Sequence, residues 1–170
     1  MKRLNKIIFV SLLVAIGLAL SVLESSIPLP VAIPGARLGL SNMVILVSLV
    51  IFGFKEAFAI SVLKSVLLML VTGNVSSFFY SIAGAVLSSI VMFLVYKYLS
   101  RFFSLIGVSI WGAVAHNVAQ VGVATLILSN IKVFAYLPVL LLLSLFTGYF
   151  IGLSSIYISD SLKKNLRLFN

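Results

Sequence analysis

The chain has 170 residues and a formal net charge of +9; 62% of its residues are apolar and only 9% are charged. A soluble domain holds about 45–50% apolar and about 25% charged residues, so an ordinary soluble enzyme, a disordered chain and a nucleic-acid-binding domain are all excluded. With no cysteine, there is no disulfide framework, thiolate metal site or cysteine nucleophile.

What remains is an all-α membrane protein, a single integral membrane domain over 1–170 with six transmembrane helices. A spanning helix needs roughly 20 mostly apolar residues. The first span is predicted at about 7–23, behind the basic start Lys2, Arg3 and Lys6. A cleaved signal peptide would share that start. The apolar stretch is long, however, no A-x-A site follows it, and five more spans come after. Next comes a segment holding Pro28, Pro30 and Pro34, three of the four prolines in the chain. Proline fixes φ and lacks an N–H, so a stiff, non-helical loop is expected. Two roles fit an apolar loop of this kind: a gate folded back over the bundle, or a short connector packed at the membrane interface. The second span is predicted over 38–54 and the third over 57–71, with Lys64 inside it. The fourth covers 78–96. The fifth covers 105–128 and contains His116, Asn117 and Gln120. The sixth covers 133–158. Turn chemistry or charge separates them: Gly53 with Lys55 and Glu56, Gly73-Asn74, Lys97 to Arg101, and Ser129-Asn130.

Lys and Arg collect on the cytoplasmic side of membrane proteins. With the N-terminus inside, the inner ends hold nine of them: Lys2, Arg3, Lys6, Lys55, Lys97, Arg101, Lys163, Lys164 and Arg167. The outer ends hold Arg37 and Lys132, and Lys64 is left within a span. Six spans and this bias put both termini on the cytoplasmic side. The positive charge is then topology, with a secondary attraction to anionic membrane lipid, and no nucleic-acid partner is implied.

Ionisable groups at membrane depth cost at least about 2.5–3.5 kcal/mol near the centre, which makes Lys64 the first candidate. It either faces an internal cavity that takes an anionic group or makes a structural pair or hydrogen bond. His116 and Gln120, four apart, share a helix face, with Asn117 beside them. This stripe is either interhelical glue or the wall of a ligand site. Glu24 and Arg37 bracket the proline loop. They pair with each other, or Arg37 holds a carboxylate or phosphate, for which its planar fork is suited. Asn42 lies just beyond. Together Arg37, Asn42, Lys64, His116, Asn117 and Gln120 are the candidate substrate-binding residues. Small residues four apart allow close helix approach, and they occur at Ala15/Ala19, Ala115/Ala119 and Gly148/Gly152.

Catalysis is not expected. The three carboxylates, Glu24, Glu56 and Asp160, form no evident catalytic pair. There is no Walker A, G-x-S-x-G or H-E-x-x-H motif. A lone histidine with no carboxylate inside a span makes a metal site improbable, and no cofactor is implied.

Six spans, Ala15-x-x-x-Ala19 in the first helix and a gate-type loop before the second resemble the S-components of energy-coupling-factor (ECF) transporters. More narrowly, Pro34-Gly35-Ala36-Arg37-Leu38-Gly39-Leu40-Ser41-Asn42 resembles the P-G-A-K-L-G-L-A-N stretch of the Gx transporter family, also described as heptaprenyl diphosphate synthase component I. Gly112-Ala113-Val114-Ala115-His116-Asn117-Val118-Ala119-Gln120 resembles its G-A-x-x-H-N-x-x-Q stretch. Arg37 stands where the family pattern has Lys.

The resemblance implies a membrane subunit that binds a small-molecule substrate and works with a transmembrane coupling subunit and two ATPase subunits. Ala15 and Ala19 would face the coupling subunit, and the loop with Pro28, Pro30 and Pro34 would be the outer gate. Prenyl-diphosphate elongation uses paired D-D-x-x-D motifs to hold magnesium. This chain has a single Asp, Asp160, so under the synthase description it is expected to be a non-catalytic accessory subunit. A purely structural scaffold is a third reading, disfavoured by Lys64 and the His116–Gln120 stripe.

Overall fold

The computed structural model describes residues 3–27 and 37–168. Pro28, Pro30 and Pro34, the expected gate, lie outside the described residues. Every regular element among the described residues is helical: α1 Arg3–Ser25, α2 Asn42–Ile51, α3 Phe54–Thr72, α4 Val75–Tyr98, α5 Leu105–Leu128 and α6 Leu137–Leu168, with a 3-10 segment at Ile131–Tyr136 before α6. Four segments are long and apolar enough to cross a membrane: Leu4–Ser25, Val75–Tyr98, Leu105–Leu128 and Ile131–Lys164. The helix α3 has 19 residues but carries Lys55, Glu56 and Lys64.

The fifth span falls where the sequence put it, and the first, third and fourth each run a few residues longer at both ends. Two expectations need correction. The second span, expected over 38–54, is only the ten-residue helix Asn42–Ile51. At 1.5 Å per residue it is about 15 Å long, roughly half the hydrocarbon thickness. Its start is held back because Gly39 takes a left-handed φ of +83°, a conformation that costs any residue with a Cβ. Its end is set by Gly53, at φ +96°, whose N–H reaches back to the Ser48 carbonyl; such a glycine is a helix stop. The sixth span, expected over 133–158, begins instead at Leu137, beside Pro138, and runs on to Leu168. Proline is at home in the first turn of a helix, where its missing N–H has no partner to lose.

From α2 onward short connections make successive helices antiparallel, and the Lys6–Glu56 pair sets the start of α1 beside the start of α3. One end of the bundle therefore gathers Lys6, Lys55, Lys97 and Arg101, and we call it the basic end. The far end carries the C-terminus of α1 and the α3–α4 turn. The long helices are neighbours in the order α1, α3, α4, α5, α6, and α2 touches all five. The short helix is thus the central column, and seven of its ten residues are buried. Around its basic-end half lies an apolar core of Ile45, Leu46 and Leu49 with Ala57, Ala85, Met92, Val95 and Val108.

The ring is tightest between α5 and α6. A Cβ added at Gly148 would lie 2.7 Å from the Ile110 Cα, and one at Gly152 2.5 Å from the Ile106 Cα. This pair of small residues therefore brings two backbones together, as the spacing predicts. Among the described helices α1 is the least enclosed, packing on α2 and α3 only. Ala15 and Ala19 lie on its exposed face. Between α1 and α6 runs an apolar groove of about 280 Å³ lined by Phe9, Leu12, Leu13, Ile16, Phe52 and Ile158, among others.

Candidate functional site

Because α2 is half-length, the far-end half of the central column is filled by non-helical chain. Irregular backbone at membrane depth is tolerated only where the protein itself satisfies its polar groups. Residues 37–42 show how this is done. The Arg37 backbone N–H donates to Gln120 Oε1 at 3.0 Å. The Gly39 N–H and, at 3.3 Å, the Leu40 N–H donate to Glu24 Oε1. The Asn42 N–H donates to the Gly39 carbonyl at 2.8 Å. Glu24 thus occupies the open N–H groups ahead of α2, where a negative charge also suits the helix dipole.

The candidate side chains gather on this hexapeptide. Lys64, 1% exposed, donates from Nζ to Ser41 Oγ and lies within electrostatic reach of the Glu24 carboxylate. The Arg37 guanidinium donates from Nη1 to the Ser21 carbonyl at 3.1 Å. His116 Nε2 and Gln120 Nε2 are 2.9 Å apart. The amide nitrogen therefore donates and His116 carries its proton on Nδ1. Asn42 and His116 meet beside Gly39: a Cβ there would sit 2.7 Å from Asn42 Nδ2 and 3.3 Å from His116 Cδ2. Arg37, Asn42, Lys64, His116 and Gln120 accordingly share one buried polar centre.

Asn117 does not join it. Its Nδ2 donates to the Leu140 carbonyl at 3.0 Å and to Ser144 Oγ at 2.7 Å, tying α5 to α6. Glu24 and Arg37 do not pair directly either. Among the described residues the one ion pair is Lys6–Glu56, at the basic end. Two positions that build this centre are not evident from the sequence. Glu24 offers itself there as one possible partner for Arg37, and nothing marks it as the carboxylate that receives the broken backbone. Gly84 carries no signal inside an apolar helix, yet a Cβ on it would lie 2.6 Å from His116 Nδ1, so its bareness seats the imidazole.

The centre is under-satisfied. Glu24 Oε2, Asn42 Oδ1 and Asn42 Nδ2 are buried without a hydrogen-bond partner; the Ser48, Ser88 and Ser159 hydroxyls and Asn117 Oδ1 share that state singly elsewhere, but only here does a carboxylate oxygen do so. Buried polar atoms of native proteins are almost always paired, and exceptions point to strain, water or a ligand. Directly above, at the far end, a polar pocket of about 320 Å³ is lined by Glu24, Ser25, Ile27, Arg37, Thr72, Asn74 and Ser77. Glu24 and Arg37 belong to both the pocket and the buried centre, so they join the two. Among the described residues no group of three His, Cys, Asp or Glu could hold a metal ion.

Long apolar helices packed around a buried polar centre define an α-helical membrane protein. The family model described as heptaprenyl diphosphate synthase component I matches residues 13–158, and the chain belongs to that family. Its description names one component of a larger system. No curated protein and no solved structure gives a match.

Proposed function

We propose that this chain is the substrate-binding membrane subunit of an ECF-type importer and takes up a small anionic molecule from outside the cell. The observation that carries this reading is the under-satisfied polar centre around residues 37–42, which meets a polar pocket at the far end of the bundle. A scaffold gains nothing from burying Lys64 and leaving Glu24 Oε2 and Asn42 unpaired, since each such group costs stability. A binding site regains that cost when ligand arrives.

In this reading all six helices sit in a prokaryotic plasma membrane with both termini cytoplasmic. The second crossing is made by residues 37–41 and α2 together, and the basic end faces the cytoplasm. The pocket then opens outward, as capture from outside requires. The exposed Ala15 and Ala19 face on α1 is offered to a transmembrane coupling subunit, and two ATPases drive it. In this reading the chain itself performs no chemistry, since its three carboxylates sit apart: Glu24 ahead of α2, Glu56 against Lys6 at the basic end and Asp160 on the last helix.

The family description favours a second reading, a non-catalytic membrane partner in heptaprenyl diphosphate synthesis. Mild-detergent purification from the native cell, with partners identified by mass spectrometry, separates the two. The importer reading expects a coupling subunit and two ATPases. Recovery of a soluble prenyl synthase without them overturns it in favour of the second.

A further inference from the structure

The chemistry of the pocket narrows what it takes. Most of its polar wall is already engaged. Ser25 Oγ donates to the Ser21 carbonyl at 2.9 Å and Thr72 Oγ1 to the Leu68 carbonyl at 2.8 Å. Asn74 Oδ1 caps α4 by accepting from the Ser77 N–H at 3.0 Å. Ser77 Oγ and the Asn74 amide nitrogen keep capacity but carry no charge; the charged groups with capacity are two. Glu24 is 4% exposed, and its Oε2 has no partner although Oε1 serves two backbone N–H groups. The Arg37 guanidinium has five donors, of which the Ser21 carbonyl takes one. A carboxylate oxygen can only accept and a guanidinium can only donate. The occupant must therefore present a donor to one and anionic oxygens to the other.

Charge balance adds a second constraint. Glu24, Arg37 and Lys64 are all buried. One negative charge faces two positive ones, an excess of one positive charge in a desolvated centre. Glu24 offsets part of the charge of both cations. Lys64 bonds Ser41 and does not line the pocket, so Arg37 is the cation that meets an anion there.

Resting on the importer reading, we propose that the pocket binds a small molecule of net charge −1 that carries both anionic oxygens, held by Arg37, and an N–H or ammonium donor, held by Glu24 Oε2. A bare carboxylate would leave Glu24 unpaired, and a simple amine would leave Arg37 without its counter-charge.

The test is equilibrium dialysis of the full-length protein in detergent against a defined mixture, with the retained compounds measured by mass spectrometry. The mixture holds orotate and glutamate, which combine a net −1 charge with N–H donors. Nicotinate and glutarate supply anions without a donor, and putrescine supplies a cation. The expected result is retention of orotate or glutamate at least about tenfold above the donor-free acids, the discrimination one hydrogen bond to a charged group provides. Glu24→Gln is the diagnostic variant. Its carbonyl oxygen still accepts from Gly39 and Leu40, while its amide nitrogen puts a donor where Oε2 was. The preference should then reverse toward nicotinate or glutarate. If Glu24 only holds the backbone, all retention falls together and the order stays unchanged, which overturns the proposal. Arg37→Lys, which keeps the charge, should retain the order with weaker binding, and thermal unfolding checks that each variant is folded. Retention of nicotinate, glutarate or putrescine above the others by the unaltered protein overturns the ligand class but leaves a binding subunit. Retention of none overturns both.

Discussion

The two halves of the central column are built on opposite rules. At the basic end Ile45, Leu46 and Leu49 of α2 sit in a closed apolar core with Met92 and Val108. At the far end the same column is non-helical chain, held by side chains from α1, α3 and α5 and left with unpaired polar atoms. In a bilayer the apolar half gains little by leaving lipid, since lipid tails are as apolar as leucine; its stability is packing. The polar half is maintained against its own cost. A column closed at one end and polar at the other is the asymmetry that the proposed capture role calls for.

The comparison breaks most severely at Gly39. An Ala there must hold φ +83°, worth about 1–2 kcal/mol by itself, and its Cβ collides with Asn42 and His116. Gly39→Ala should abolish ligand retention and lower the unfolding midpoint in detergent. An unchanged midpoint with normal retention would show that the turn is not required. In the closed half, Leu46→Ala should cost about 1–3 kcal/mol, less than in a soluble core because only the cavity and lost contacts count. Chemical denaturation should register that loss, while ligand affinity in the folded fraction stays within about twofold, less than one hydrogen bond is worth. A large affinity change would show that the halves are coupled.

Lys64→Met sharpens the contrast differently. Retention should fall at least about tenfold, because the charge-assisted bond to Ser41 that holds the 37–42 stretch in place is lost, while the protein stays folded. If the Met variant binds normally and unfolds at a higher temperature, Lys64 is a tolerated structural burden. The smallest effect belongs to Glu56. Burial works to raise its carboxyl, but the Lys6 hydrogen bond, its own backbone N–H and the Lys6 and Lys55 charges hold it below its ordinary value. Its contribution is therefore present above the unfolded carboxyl range, near about 4.3, and disappears as pH falls through the lowered folded value. For a partly exposed pair that contribution is below about 1 kcal/mol. A pH series of unfolding midpoints for the native protein and Glu56→Gln should converge in acid.

Much of this was legible in local pattern. The 105–128 helix follows from its apolar run, and the close approach at Gly148 and Gly152 from their spacing. Arg37, Asn42, Lys64, His116 and Gln120 stand out in the sequence by their polarity at depth, since such residues seldom face lipid, but that they meet is not legible there. The short α2 was not legible. Leu38 to Ile51 is apolar enough to be helical throughout, and its start is decided by Glu24, fifteen residues before Gly39. Asn117 was grouped with its sequence neighbours His116 and Gln120, but its partner is an α6 carbonyl that no spacing on α5 reveals.

The dependence of residues 37–41 on distant side chains also orders the assembly of the chain. Membrane helices carry their own hydrogen bonds and enter lipid one at a time. The stretch before α2 does not: the Arg37 N–H waits for Gln120, which is synthesised 83 residues later. Until α5 has been made, this stretch must stay hydrated or in the insertion machinery. The polar centre therefore cannot close before α5 is in place, long after its own residues 37–42 have been made.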